Sequence, residues 1–281
     1  MSSNEEAGVR LDDKLIQTPR GKEVVLARHP KRPYTLDYAA RLFESYLELH
    51  GDRVIGDSKA IISGVAQFEG LPVAFAGHQK GRTTQERVAR NFGASHPEGY
   101  RKAVRIMKFA ALLHNPTICF IDTPAAACDV AAESRGIATA IATSMVEMFR
   151  IPSPIVAVVI GEGGSGGAIG LSVADRILML QHSVYSVIPP EGCANILWRD
   201  PEKRGEAAEA LKLTAQDAFE QNLIDEVITE PRGGAHLDYD ATAASVGEAI
   251  LRHLAELREV DQNELVTIRR ERFRKIGSFN S

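Results

Sequence analysis

Two predicted loops of the chain combine residue types that suit chemistry by backbone groups. The first reads Asp122-Thr-Pro-Ala-Ala-Ala-Cys-Asp129 and the second reads Gly161-Glu-Gly-Gly-Ser-Gly-Gly167. Each follows an apolar run and precedes a helical pattern. Glycine is costly to order, so this density is typical of a backbone that approaches a ligand closely, and Gly161, Gly166 and Gly167 are candidate ligand-binding positions. Free N–H groups at a helix start bind phosphate or stabilise a developing oxyanion.

The glycine-rich segment leaves three other interpretations open. Close packing of a helix against a strand would explain the glycines without any ligand. The letters G-x-G-x-x-G are present, but the acidic residue that dinucleotide binding requires about 20 positions later is missing. Ser165 fits the G-x-S-x-G pattern of a hydrolase nucleophile, with Asp225 and His236 as the nominated acid and base.

Three polar side chains that follow another predicted strand are candidate cofactor contacts. His78 can polarise a ligand, and the alternative is a structural histidine at a strand end. Lys80 and Arg82 can contact phosphate, although solvated loop charge explains them equally well. Glu162 and Glu191 are candidate acid–base groups, but the sequence shows no pairing for either.

Strand and helix patterns alternate along the chain, which predicts a layered α/β domain with largely parallel strands. Continuous apolar runs predict strands that are covered on both faces. The predicted strands are residues 60–68, 71–77, 116–122, 154–160, 176–180 and 183–188. The predicted helices are residues 35–49, 97–114, 131–150, 166–174, 205–213, 215–221, 241–257 and 264–275.

Composition excludes several classes of protein. The chain has 281 residues, of which 44% are hydrophobic and 25% charged, and a net charge of −4 that gives no reason to expect a nucleic-acid partner. Three cysteines without a CxxC pair argue against a disulfide framework and a zinc ribbon. A polar N-terminus and short apolar runs predict a cytoplasmic protein that neither enters nor binds a membrane. The basic runs at 20–32 and 269–275 are interpreted as solvated terminal helices rather than an anion-binding surface.

Nine stretches occur in a characteristic order across about residues 28–257. They are RPYTLDY at 32–38, GHQKGR at 77–82, NFG at 91–93, PEGYRK at 97–102, FIDTP at 120–124, VIGEGGSGGA at 159–168, YSVI at 185–188, PEGCA at 190–194 and GGAH at 233–236. The ordered set resembles the α subunit of bacterial acetyl-CoA carboxylase carboxyltransferase. The resemblance implies a crotonase-like (ClpP/crotonase) fold, in which βαβ units stack and helices lie at the periphery.

The resemblance also implies an activity and partners. It implies transfer of a carboxyl group from carboxybiotin, on a biotin carboxyl carrier protein, to acetyl-CoA, giving malonyl-CoA for fatty acid biosynthesis. The implied partners are a zinc-ribbon β subunit, the carrier protein and biotin carboxylase, with an α2β2 arrangement and no metal in this chain. By resemblance, the backbone N–H groups of Gly163, Gly164, Ala125 and Ala126 are the oxyanion donors. The alternatives are a stand-alone crotonase-fold acyl-CoA hydratase, hydrolase or decarboxylase, and a catalytically silent structural subunit.

One segment departs from the family pattern. The family usually reads Asp-Thr-Pro-Gly-Ala-Tyr-Pro-Gly where this chain has residues 122–129. Alanine keeps its N–H group, so Ala125 is expected to remain a donor provided that its φ is negative. Cys128 and Asp129 are expected as new polar groups near the biotin site. The expected organisation is an N-terminal docking arm at 1–31, a crotonase-like domain at 32–257 and a basic helical tail at 258–281.

Overall fold

The computed structural model describes residues 12–277, which build an eight-stranded sheet with helices on both faces. The strands are β1 (Ser45–Glu48), β2 (Ile61–Phe68), β3 (Leu71–His78), β4 (Thr117–Thr123), β5 (Ile155–Gly164), β6 (Arg176–Leu180), β7 (Val184–Ser186) and β8 (Glu226–Ile228). Their order is β1-β2-β3-β4-β5-β6-β8, and β7 pairs with the end of β5. β1, β2 and β3 are antiparallel, and every other pairing is parallel. The expected α/β layering with largely parallel strands is confirmed.

Helices cover the sheet on both sides. They are α1 (Pro19–Ala27), α2 (Thr35–Leu42), α3 (Thr84–Ala89), α4 (Pro97–Leu112), α5 (Val130–Ser134), α6 (Ile137–Met148), α7 (Ser165–Ile169), α8 (Pro190–Trp198), α9 (Arg204–Leu211), α10 (Ala215–Glu220), α11 (Tyr239–Arg258) and α12 (Gln262–Arg274). Single turns of 3-10 helix occur at Leu15–Gln17, Asn91–Gly93 and Pro201–Lys203.

The continuous apolar run of β5 divides between two cores. Alternate side chains point to opposite faces of a strand. Ala157 and Val159 therefore join the core beneath α4 and α6, whereas Val158 and Ile160 join the core beneath α2 and α11. All four are fully buried. A strand covered on both faces needs apolar residues at every position, which is the pattern that the sequence shows.

Four predicted elements have the wrong extent or type, and one of them is the helix predicted at 166–174, which ends at Ile169. The helix predicted at 35–49 ends at Leu42, and Ser45–Glu48 is instead the edge strand β1, because pairing with β2 outweighs the helical spacing. The helix predicted at 131–150 is two helices, interrupted by Gly136 with a φ of +79°. The strand predicted to end at Ile160 continues to Gly164, so the first half of the glycine-rich segment is not a loop.

One arginine of each basic run is buried in the fold, so the interpretation of these runs as solvated helices is wrong for Arg32 and Arg269. Arg32 and Arg269 are buried, and they form ion pairs with Glu230 and Asp175 respectively. α1 places Val24 in a small core with residues of β7 and α9. The boundaries of the arm, domain and tail thus remain predictions, although the described parts of both flanking segments pack against the central residues.

Within residues 12–277, no helix combines the length and apolar character needed to cross a membrane.

Candidate active site

The glycine-rich segment forms the end of β5 and the first turn of α7. Near its end, β5 pairs with β4 through Thr123 and Gly163, and with β7 through Gly163 and Tyr185. Because β5 has neighbours on both sides here, the sheet takes up backbone groups that a loop would leave free. The expectation that Gly163 and Gly164 donate to an oxyanion therefore stays a prediction.

Four of the five glycines in this segment, all except Gly166, are required for space and not for an unusual backbone. None of Gly161, Gly163, Gly164, Gly166 and Gly167 has a positive φ. A Cβ at Gly161 would lie 2.4 Å from Oδ1 of the Asp122 carboxyl group, and one at Gly164 would lie 2.0 Å from the Pro124 carbonyl oxygen. A Cβ at Gly167 would lie 2.6 Å from the carbonyl carbon of Ala125. The glycines thus bring the ends of β4 and β5 into close contact, whereas the packing interpretation expected a helix against a strand.

Ser165 carries the unusual backbone of this segment. It is the first residue of α7 and has a φ of +51°, a conformation that costs a residue with a side chain roughly 1–2 kcal/mol. Strain of this kind often marks functional sites.

The alanine segment after β4 offers free donors. Across residues 12–277, the N–H groups of Ala125 and Ala126 form no hydrogen bond, and both residues are half-buried. Neither has a positive φ, so the condition for Ala125 to remain a donor is met. The neighbouring N–H of Ala127 donates to the Ser95 carbonyl over 3.0 Å, and the Thr123 hydroxyl lies 2.7 Å from the Ala125 carbonyl. The segment is therefore anchored on both sides of its free amides.

A pocket lies beside these two strand ends. It is lined by Val24, Arg28, Pro124, Glu162, Gly163, Gly164, Val184, Ser186, Ile188, Pro189, Pro190 and Leu213. The walls are mainly apolar, and the charged groups come from α1 and β5. Four elements meet here, namely α1, β5, β7 and the start of α8.

A chain of ion pairs lies against this pocket. Arg28 donates through Nε to Glu162 over 2.7 Å and through a terminal nitrogen to Glu191 over 2.5 Å. Lys80 Nζ lies 2.6 Å from Asp122 Oδ1 and 3.3 Å from Glu162 Oε2. The Glu162 amide also donates to Asp122 Oδ1 over 2.9 Å. Two cations thus hold three carboxylates.

Burial and neighbouring charges shift the pKa values of this cluster in opposite directions. Burial lowers the pKa of Lys80, but Asp122 and Glu162 outweigh it and the net shift is upward, so Lys80 stays charged. Burial raises the pKa of Glu162, but Lys80 and Arg28 outweigh it and hold the carboxyl below its usual range. With one carboxylate in excess, burial raises the pKa of Asp122 despite the adjacent lysine.

The three polar side chains nominated as cofactor contacts are already engaged or enclosed. Lys80 is held by its two carboxylates, so the structure does not leave it as a free phosphate contact. Arg82 pairs with Asp37 over 2.5 Å and stacks on the Tyr34 ring at 4.6 Å. The His78 ring is fully buried, and burial lowers its pKa to about 3, which favours the structural interpretation.

Asp129 and Cys128, the two polar residues that depart from the family pattern, have different surroundings. Asp129 caps α5 by accepting from the Ala132 amide over 2.9 Å, and it pairs with His96 over 2.9 Å. Its carboxylate is therefore a structural group of the helix start. Cys128 is exposed and has a free thiol.

The hydrolase triad lacks its acid. Asp225 accepts from Arg272 over 2.5 Å and from the Ile177 amide over 2.7 Å, which occupies both of its oxygens. His236 stacks on His29 with 3.8 Å between ring centroids. With Asp225 engaged by these two donors, the triad nominated for Ser165 has no available acid to orient its base.

Sequence reasoning missed Arg28 as a residue of the site. It lies in the basic run that we interpreted as solvated, and no spacing links it to Glu162, which is 134 positions away. The pairing of Glu162 and Glu191 through one guanidinium was likewise invisible, because it depends on how α1 packs against β5 and α8.

The acetyl co-enzyme A carboxylase carboxyltransferase-like family matches residues 11–277 of the sequence. The chain belongs to this family. It is 52% identical over 260 residues to the acetyl-coenzyme A carboxylase carboxyl transferase subunit alpha of Geobacter metallireducens, which covers 92% of this chain and 82% of the relative. The subunit alpha of a Geobacillus species is 53% identical over 256 residues, covering 91% of this chain and 79% of the relative.

Solved structures share the fold of this family member at low sequence identity. A transcarboxylase 12S crystal structure superimposes with a TM-score of 0.67 at 20% identity, covering 85% of this chain and 44% of that chain. This chain thus spans less than half of the transcarboxylase chain. A Pseudomonas malonate decarboxylase hetero-tetramer with coenzyme A gives a TM-score of 0.67 at 17% identity, covering 83% of this chain and 91% of that chain. The expected crotonase-like fold is confirmed.

Proposed function

We propose that the chain is the carboxyltransferase α subunit of an acetyl-CoA carboxylase. It acts with a β subunit and accepts carboxybiotin on a biotin carboxyl carrier protein that biotin carboxylase has loaded. The product is malonyl-CoA for fatty acid biosynthesis, and the assembly is α2β2. Family membership over residues 11–277 supports the activity class. The geometric observation that carries the proposal is the pair of free amides at Ala125 and Ala126 beside the pocket at the end of β5.

The pocket lining has the chemistry that a biotin ring system requires, because its walls at Pro124, Ile188, Pro189 and Pro190 are apolar and rigid. The cavity in the chain alone has room for about one water molecule, so the pocket must widen to admit the ring. Gly164 also lines the pocket, but the space at its missing Cβ is taken by the Pro124 carbonyl oxygen at 2.0 Å and is not left to a ligand. Carboxybiotin, when bound, supplies the carboxyl group that is transferred.

The chain itself contributes charge stabilisation and not proton transfer. Transfer of the carboxyl group develops negative charge on the ureido oxygen of biotin. Fixed N–H donors stabilise this charged oxygen more than they stabilise the neutral ureido oxygen of the ground state. Ala125 and Ala126 are suited to this because their amides are held by flanking anchors and have no competing acceptor among residues 12–277. Glu162 and Glu191 are engaged with Arg28, so neither is free to act as a general base.

Reconstitution tests the activity. We would assemble the chain with a cognate β subunit and measure decarboxylation of malonyl-CoA with and without a biotin analogue. The proposal predicts turnover that requires both the β subunit and the analogue. Turnover by the isolated chain without biotin would support the stand-alone acyl-CoA enzyme instead, and no turnover from an assembled complex would support the silent structural subunit.

Removal of a single N–H tests the donors. We expect an amide-to-ester exchange at Ala126, introduced as L-lactic acid, to lower kcat by about 10²–10³, the usual cost of one oxyanion donor. The exchange removes the donor without adding the ring atoms of proline. The same exchange at Ala125 tests the second amide.

The matched control is the ester at Ala127, whose amide donates to the Ser95 carbonyl. That variant loses a structural hydrogen bond worth about 0.5–1.5 kcal/mol and should keep its kcat. If the esters at 125 and 126 behave like the one at 127, these amides are not the oxyanion donors.

A further inference from the structure

We propose that Arg28 is a positioning residue for carboxyl transfer, because its guanidinium joins α1, the end of β5 and the start of α8 into one wall of the pocket. The inference rests on the proposed function, since it assigns a role within the same pocket. It makes the N-terminal helix part of the active site and not only a docking arm.

The contacts of Arg28 reach both walls. Glu162, which accepts over 2.7 Å, directly precedes Gly163 in β5. Glu191, which accepts over 2.5 Å, is the second residue of α8 and follows Pro190 of the pocket lining. Arg28 itself also lines the pocket. A planar guanidinium presents donors in fixed directions, so it fixes the distance between its two carboxylates.

Loss of Arg28 would leave Glu162 poorly compensated. The groups that face the Glu162 carboxylate are Arg28, which caps the end of α1, Lys80 from the segment after β3, and Asp122 from β4. Lys80 is shared with Asp122, to which it lies closer. The Glu162 side chain is only 11% exposed, so without Arg28 it must move toward solvent or take up a proton. Either change disturbs the backbone at Gly163.

Arg20 provides a matched comparison on the same helix. It also bridges two carboxylates, Glu209 over 2.7 Å and Asp217 over 2.5 Å, and its side chain is 30% exposed, as is that of Arg28. Its partners lie on α9 and α10, and neither lines the pocket. Substitution of Arg20 therefore reports the structural cost of losing a two-carboxylate arginine from α1.

The experiment compares Arg28→Met, Arg28→Lys, Glu191→Gln and Arg20→Met in the reconstituted complex. We expect Arg28→Met to lower kcat by about 10²-fold, the scale associated with a misplacement of roughly 1 Å. The kcat of Arg28→Lys should lie between those of the wild type and Arg28→Met, because a single ammonium does not bridge both carboxylates. Glu191→Gln frees only the α8 side and should mainly raise KM for the biotin analogue. Arg20→Met should match Arg28→Met in loss of Tm but stay within about twofold of the wild-type kcat.

Two pH-dependent readouts exclude a purely structural role. Removing the Arg28 cation raises the pKa of Glu162, so the acidic limb of the kcat profile should move to higher pH in Arg28→Met and not in Arg20→Met. The same shift should appear without substrate or biotin, in the carboxyl carbon resonance of Glu162 in ¹³C-labelled free chain. Glu162→Gln assigns that resonance.

Each result decides the question. An active wild-type complex in which Arg28→Met keeps its kcat and its pH profile, as Arg20→Met does, overturns the inference and leaves the proposed function intact. A wild-type complex without biotin-dependent turnover overturns the proposed function and this inference with it. If Arg28→Met fails to assemble, Arg28→Lys and Glu191→Gln decide, and wild-type kcat and KM in both overturn the inference.

Discussion

At the residue scale, each glycine between positions 161 and 167 meets a different neighbour. A Cβ at Gly164 would lie 2.0 Å from the Pro124 carbonyl oxygen, and one at Gly163 would lie 2.6 Å from the ring of Tyr185. A Cβ at Gly166 would meet only Ile141, at an ordinary 3.5 Å. A bulky substitution at Gly163 or Gly164 would therefore distort the sheet, and loss of turnover would not identify an oxyanion donor.

This difference predicts an order of stabilities for three alanine variants. Gly164→Ala should lose the most, about 2–3 kcal/mol, because its neighbour is backbone and cannot rotate away. Gly163→Ala should lose about 1 kcal/mol, since the Tyr185 ring can turn. Gly166→Ala should be neutral or gain up to about 1 kcal/mol, because its backbone suits alanine. Urea unfolding of the isolated chain measures all three, and equal losses would refute the steric account.

At the element scale, α12 contributes a buried arginine to the core in addition to the buried Leu265. Arg269 donates to the carbonyl oxygens of Met148, Ile151 and Ser153 over 2.6, 2.7 and 2.9 Å. It also pairs with Asp175 over 2.6 Å, and the residue is fully buried. A basic C-terminal run thus contains a structural residue, although its composition indicates a solvated helix.

We expect Arg269→Met to lower the free energy of unfolding by about 3–5 kcal/mol, because it leaves the buried Asp175 carboxylate unpaired. Arg270→Met is the control, since Arg270 is the next residue of α12 and is exposed. Its effect should stay within about 0.5 kcal/mol. Denaturant titration separates the two outcomes, and similar small effects would show that α12 does not depend on this ion pair.

At the scale of the whole molecule, acid should weaken the fold in two stages. Burial, together with the nearby His236, Lys31 and Arg32, lowers the pKa of His29 from 6.5 to about 4. The Arg20 side chain lowers the pKa of Asp217 from 3.8 to about 2. Both groups have a lower pKa in the folded chain than in the unfolded chain. As the pH falls, the unfolded chain takes up a proton first, and this favours unfolding.

The first stage belongs to His29. The unfolded chain takes up a proton on this histidine below about pH 6.5, whereas the folded chain resists protonation until about pH 4. Stability should therefore decline as the pH falls from 6.5 to 4, and His29→Gln should flatten that decline. Urea midpoints at pH 7, 5.5 and 4 test this. An unchanged slope in the variant would assign the loss to other groups.

The sequence alone determined the alternation of strands and helices, the apolar strands β4 and β5, and the two segments that lie at their ends. It also determined the family, because nine motifs occur in order. These features are local patterns or ordered strings, and neither kind depends on three-dimensional contacts. The prediction from sequence was wrong at β1, where pairing with β2 outweighs the helical spacing of the residues.

Tertiary structure alone decided which groups at the site are free. Gly161 to Gly164 belong to strand β5, and Lys80 and Arg82 are engaged in ion pairs. The His78 side chain is fully buried. Arg28 entered the site because α1 packs beside β5, far away in sequence. Whether a donor or a charge is available depends on what lies opposite it in space. No local pattern encodes that, so the tertiary structure alone shows that the N–H groups of Ala125 and Ala126 have no acceptor within residues 12–277.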